Sequence, residues 1–161
     1  MGEVPELSEG EIEVGYGPER MWRQMTKHIW DEVRMRPGTL AFQPSTADAG
    51  MPSFSRETKV TAQASRDWHQ KNARSASLAV WPIATSDVED TGLRIVDDED
   101  AALPQGEKRA PGHAYIDYRG TSNATRRDVR AKLLRRALQY QEEPTTDSGF
   151  VPLEERDEEA S

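Results

Sequence analysis

Acidic residues crowd both ends of this chain and leave only its middle able to form a hydrophobic core. Residues 1–19 hold six acidic side chains and no lysine or arginine, and residues 142–161 hold eight acidic side chains against one arginine. Such segments bury too little apolar surface to offset the entropy lost on ordering. We therefore predict an acidic N-terminal tail over residues 1–19, a single domain over residues 20–141 and an acidic C-terminal tail over residues 142–161.

The positive charge is concentrated in one predicted helix near the end of that domain. Residues 121–141 carry six basic side chains and one acidic side chain, although the whole 161-residue chain has a formal charge of −8. Val129, Leu133 and Ala137 recur at helical spacing, and Ser122 or Asn123 can cap the helix. We predict an amphipathic helix reaching about residue 141, over which the acidic tails could fold.

The rest of the domain alternates short apolar segments with turn residues. The segments predicted to be strands are residues 20–25, 39–43, 51–55, 77–83, 93–96 and 113–118. Thr61 can cap a helix over residues 61–72, and a short helix over residues 85–92 ends at Gly92. This irregular order of strands and helices predicts an α+β domain. Its sheet is mixed and mainly antiparallel, with one short helix and one long C-terminal amphipathic helix.

The composition excludes several kinds of chemistry. The chain has no cysteine, so it forms no disulfide, thiolate nucleophile or cysteine-ligated metal site. His28, His69 and His113 show no metal-binding spacing, and nothing in the sequence selects one Ser, His and Asp triad. Phosphate loops and nucleophile elbows are also absent. We assign no catalytic residue, metal or cofactor, and we interpret the acidic run at residues 97–100 as a solvated loop.

Several short motifs resemble those of small uncharacterised bacterial α+β proteins. The shared features are an Arg-rich strand at residues 20–23, an "AF-x-P" strand, a Ser-containing strand at residues 52–55, an "HA-x-I-D" strand at residues 113–117, and a basic final helix. The resemblance covers residues 20–140 and implies no particular activity. The early arginine and the Ser-containing strand are also similar to ADP-ribosyltransferase-like domains. That similarity implies an NAD-binding enzyme in which Arg23 holds a phosphate and Ser55 supports the nicotinamide ribose.

The absence of a catalytic constellation and the segregated charge favour a non-enzymatic interaction protein. We expect an accessory, regulatory or immunity-type subunit of the bacterial cytoplasm that docks a partner protein through charged surfaces and does not enter a membrane. The residues predicted to contact the partner are Arg126, Arg127, Arg130, Arg135, Arg136 and Trp30. One alternative is the NAD-binding enzyme that uses Arg23 and Ser55. Another is a protein that binds nucleic acid through the basic helix at residues 122–141.

Overall fold

A computed structural model describes residues 3–103, 109–152 and 154–155. The strands are β1 (Ile12–Val14), β2 (Arg20–Met25), β3 (Trp30–Asp31), β4 (Arg36–Pro37), β5 (Ser53–Arg56), β6 (Ala79–Ala84), β7 (Ile95–Asp97) and β8 (His113–Ile116). The helices are α1 (Ala62–Asn72), α2 (Thr85–Glu89) and α3 (Asn123–Ala137). This architecture confirms the predicted α+β class, with a mainly antiparallel sheet and a long C-terminal helix.

Six strands form one sheet in the order β1-β7-β8-β5-β2-β6, and every neighbouring pair is antiparallel. The two remaining strands, β3 and β4, form a separate hairpin. Because successive residues of a strand point to opposite faces, β2 contributes to two different cores. Met21 and Met25 belong to one buried cluster, and Trp22 belongs to another. The alternating pattern of residues 20–25 is therefore satisfied on both faces of the sheet.

The two longer helices cover opposite faces of this sheet. Val129, Leu133 and Ala137 of α3 are buried in the larger cluster, as their helical spacing predicts. The smaller cluster joins Trp22 and Val80 of the sheet to Val60 and Ala62 at the start of α1. Both helices begin at the predicted caps, because the side chains of Thr61 and Ser122 accept the backbone N–H three residues further on.

The structure differs from the sequence prediction at several positions, among them the β3–β4 hairpin, which we did not predict. Residues 39–43 form turns instead of a strand, because Ala41 and Phe42 are buried consecutively and so break the alternation of a strand. Residues 12–14, which we placed in the N-terminal tail, pair with β7 as an edge strand. The helix α3 ends at Ala137, four residues earlier than predicted.

The C-terminal segment runs along α1 and leaves the basic helix uncovered by these residues. Glu143 donates its backbone N–H to Val80 at the open edge of β6, over 2.9 Å. Three hydrogen-bonded pairs then follow: Thr145 with Arg66, Thr146 with Gln63, and Asp147 with Gln70. The hypothesis that the tail folds over α3 is therefore wrong for residues 143–147. None of the helices that the structure describes has the length and apolar character needed to span a bilayer.

Candidate functional site

A cavity of about 610 Å³ opens between α1 and the connection from β7 to β8. Its floor is the part of the sheet where β2, β5 and β8 meet, including Gln24 and Ser53. One wall is the C-terminal half of α1 and the residues after it, and the other includes Leu103 and Arg109. The sheet face here is not occupied by α1, because that helix packs over Trp22 and Val80 nearer the β6 edge.

The cavity gathers all three histidines of the chain and one partly exposed indole. His28, His69 and His113 come from three separate segments, yet each lines the same space. Trp68 also lines it and is half-buried, whereas Trp22, Trp30 and Trp81 are buried in the two cores. Within the described residues, no cluster of His, Asp or Glu can hold a metal ion. The histidines therefore offer hydrogen bonds and positive charge instead of a shared metal site.

One of these histidines is part of a hydrogen-bonded chain of three side chains. His113 Nδ1 lies 2.5 Å from Asp98 Oδ1, and His113 Nε2 lies 2.9 Å from Ser53 Oγ. Exposure falls along the chain, because Ser53 is exposed, His113 is half-buried and Asp98 is buried. Sheet pairing holds the three together: Ser53 is on β5, His113 is on β8, and Asp98 directly follows β7. This arrangement can orient the imidazole and polarise the serine hydroxyl.

Two residues of the acidic run at residues 97–100, Asp97 and Asp98, are buried and ion-paired, so the prediction of a solvated loop is wrong for them. Asp97 is 2% exposed and lies 2.7 Å from both Arg56 and Lys59. Burial raises the pKa of Asp97, but hydrogen bonds from Lys59 and Arg56 outweigh that effect and hold the pKa below its ordinary value. Asp98 forms an ion pair with Arg109, whose Nη1 lies 2.5 Å from the Asp98 carboxylate. The carboxylate that faces His113 is therefore held by Arg109, and the residue before it is tied to Arg56 of β5.

Arg23 and Ser55 both border the cavity, but their side chains lie on opposite faces of the sheet. Ser55 pairs with Trp22, so the next residue on β2, Arg23, points to the other face. There the guanidinium lies 5.3 Å from the Phe54 ring centroid and donates to the carbonyls of Ala41 and Ser53. This placement gives no support to the ADP-ribosyltransferase alternative, in which one NAD molecule contacts both side chains.

The arginines predicted to contact a partner differ in whether they already form hydrogen bonds or ion pairs within the chain. Arg126 donates to Thr121 and to the Tyr118 carbonyl, Arg130 donates to Gln43, and Arg136 pairs with Asp90. Arg127 and Arg135 are exposed, and no described residue pairs with them. Trp30 is 8% exposed and packs 6.1 Å from Trp81, so it has little surface left to offer a partner. The partner-binding role of these residues remains a prediction.

Sequence reasoning did not select Ser53, Asp98 or His113 as a group. Their separations of 60 and 15 residues carry no motif, and only the strand order brings them together. The sequence did contain one indication of the site, namely a predicted strand with serines and another predicted strand that begins at His113. Comparison with known proteins adds no assignment, because no family model, curated protein or solved structure matches the chain.

Proposed function

We propose that this protein binds a small planar anion in the cavity between α1 and the β7–β8 connection. The observation that carries the proposal is the convergence of three histidines and a half-buried indole on one cavity of about 610 Å³. Cavities of roughly 300–1,000 Å³ with an aromatic surface and a few directed polar groups are typical of small-molecule sites. The proposal goes beyond the interaction role expected from the sequence.

The charge around the cavity favours an anion. Among the described lining residues, Arg23 and Arg109 and the three histidines face a single acidic side chain, Asp48. Arg109 is paired with Asp98, and Arg23 donates to backbone carbonyls, so neither charge is wholly free. Among the lining side chains alone, the two arginines exceed the one carboxylate by one positive charge, and the imidazole N–H groups can donate to a carboxylate or phosphate. Trp68 supplies a flat apolar surface against which a planar group can stack.

We expect 1-naphthoate, a planar aromatic carboxylate, to bind in this cavity. Replacing Trp68 by alanine should weaken that binding about tenfold, because an aromatic contact contributes about 0.5–1.5 kcal/mol. Titration followed by two-dimensional amide NMR measures both the affinity and the location, since shifts should concentrate on residues 22–28, 68–75 and 113. The Arg127→Ala variant, altered on the exposed side of α3, should bind with unchanged affinity. Shifts spread over α3, or equal binding of the cation 1-naphthylmethylamine, would contradict the proposal.

A second candidate function is docking of a partner protein through α3, as the charge segregation suggests. The observation that favours it is that Arg127 and Arg135 lie two helical turns apart, exposed and without a pairing partner among the described residues. Exposed arginines of this kind increase association rate and specificity toward an acidic surface. The alternative of a nucleic-acid ligand uses the same two side chains, which would then contact phosphate groups instead of an acidic protein surface.

Reversing both charges should reduce partner capture by at least about tenfold, with a larger loss at low salt. The measurement is a tagged pull-down from the native host with and without nuclease, comparing wild type with the Arg127→Glu/Arg135→Glu variant. The matched control is Arg34→Glu/Arg36→Glu, which makes the same charge change on the β3–β4 hairpin, where both arginines are exposed. Equal loss in both variants would reflect net charge alone. Capture that nuclease abolishes would favour nucleic acid over a protein partner.

A further inference from the structure

We propose that Ser53 is the nucleophile of an acyl-transfer site in the cavity, with His113 as its general base and Asp98 as the residue that positions the imidazole. The inference rests on the proposed function, because the acyl compound must first bind in the same cavity. Three observations carry it: the hydrogen-bonded chain, the gradient of exposure along it, and the position of the serine where the cavity is open.

The geometry assigns the proton positions. Asp98 Oδ1 is a carboxylate oxygen that can only accept, so His113 Nδ1 carries the hydrogen that spans the 2.5 Å between them. In the neutral imidazole, His113 Nε2 then has a free lone pair that can accept the hydroxyl hydrogen of Ser53 over 2.9 Å. This tautomer is the one in which an imidazole can remove a proton from a serine. The same three roles recur on unrelated folds and depend on geometry instead of sequence order.

Several contacts keep Asp98 in place. Its backbone N–H donates to the His113 carbonyl over 3.3 Å, so the sheet pairing extends one step past β7. Its second carboxylate oxygen accepts a hydrogen bond from Arg109 Nη1 over 2.5 Å. Glu99, the next residue, accepts the backbone N–H of Gly112, which directly precedes His113. These bonds limit the rotation of both side chains, which is what a positioned acid–base pair requires.

The chemistry that follows is hydrolysis of a small acyl compound such as an ester. Ser53 Oγ bonds to the acyl carbon while its proton passes to His113 Nε2, and the resulting tetrahedral intermediate collapses as Nε2 returns the proton to the departing alcohol oxygen. Water then attacks the Ser53 ester, again giving a proton to Nε2, and the carboxylic acid leaves as Oγ regains its proton. One water is consumed, and one acid and one alcohol are formed. On the opposite face of the sheet, Arg23 Nη1 donates to the Ser53 backbone carbonyl over 2.9 Å and so helps to hold the strand that carries the nucleophile.

The test uses a fluorophosphonate probe, which bonds covalently to activated serines, on the full chain. We expect one adduct by intact mass, mapped to Ser53, and none with Ser53→Ala. The His113→Gln variant should label about a hundredfold more slowly, because a positioned general base contributes about 10²–10⁴ in rate. Since the chain has no cysteine, an adduct cannot arise on a thiol. The matched control, Ser86→Ala, removes an exposed serine of α2 and should label at the wild-type rate.

Naphthoate binding separates failure of this inference from failure of the proposed function. If wild type binds 1-naphthoate but forms no adduct, or forms it on another residue, the nucleophile assignment is overturned and the binding function stands. If wild type neither binds nor labels, both are overturned. Labelling on Ser53 that also depends on His113 supports both.

Discussion

Replacing Asp117 by asparagine should lower the free energy of unfolding at pH 7 by about 3 kcal/mol, because it leaves two arginines without their shared carboxylate. The side chain of Asp117 is fully buried and binds Arg94 at 2.9 Å and Arg119 at 2.9 Å. It also accepts the backbone N–H of Arg119 over 3.1 Å. The asparagine keeps the shape of the side chain, so the expected loss reports the charge and its hydrogen bonds instead of a cavity.

The same variant has a diagnostic dependence on pH. Burial raises the pKa of Asp117, but the hydrogen bonds and charge of Arg119 and the hydrogen bond of Arg94 outweigh it, so the pKa in the folded protein lies below its ordinary value. A carboxylate with a lowered pKa stabilises the fold above its unfolded-state pKa of about 3.9, and the benefit disappears as the pH falls through the folded-state value. The difference between wild type and variant should therefore be full at pH 7 and shrink below about pH 4.

Urea unfolding at a series of pH values measures this difference. The matched control is Asp128→Asn, whose carboxylate is 62% exposed and pairs with Lys132 one turn along α3. Exposed pairs of this type contribute about 0.3–0.5 kcal/mol, so the control should change stability only slightly. A loss at pH 7 that stayed constant down to pH 3 would mean that the asparagine disturbs packing and that the carboxylate charge is not the cause.

Replacing Phe54 by alanine should destabilise the protein by about 3–5 kcal/mol, because the substitution leaves a cavity in the larger core. Phe54 is 2% exposed, and its ring is nearly parallel to that of Phe42 with the centroids 6.4 Å apart. The Arg23 guanidinium lies on the same ring. The substitution thus removes apolar burial, an aromatic pair and a cation–π contact together. Such a loss is a large fraction of a typical total stability of about 5–15 kcal/mol.

Urea unfolding again provides the measurement, with Val33→Ala as the control. Val33 is 93% exposed on the β3–β4 hairpin, and its truncation should change stability by less than about 0.5 kcal/mol. A loss below about 1 kcal/mol for Phe54→Ala would mean that the core collapses around the missing ring, in which case Phe54 does not anchor β5. Because Ser53 and Ser55 flank this residue, the anchoring also bears on the position of the proposed nucleophile.

The two candidate functions, anion binding in the cavity and partner docking on α3, use different parts of the molecule. The charged surface that the sequence emphasised lies on α3, where three of five predicted arginines are bonded to residues of the same chain. The cavity lies on the opposite face of the sheet, under the end of α1. A variant that affects one site should therefore leave the other intact. The proposals for the cavity and for α3 can be tested independently.

Local patterns predicted most of the regular structure. Alternation predicted β2 at residues 20–25, and a capping residue with helical spacing predicted the starts of α1 and α3. The edge strand β1 was missed because its acidic context suggested a disordered tail, whereas pairing with β7 satisfies its backbone. Residues 39–43 were misassigned because an apolar pair beside polar residues is compatible with both a strand and a buried turn.

Local sequence patterns account for the charge segregation, the capped starts of α1 and α3 and the alternation of β2, because each depends on residues close together in the chain. The meeting of one serine, one histidine and one aspartate depends instead on how the strands are arranged in the sheet. Ser53, Asp98 and His113 become neighbours because β7, β8 and β5 lie side by side in a particular register. Strand order and register depend on the packing of the entire sheet, and no local spacing of residues records them.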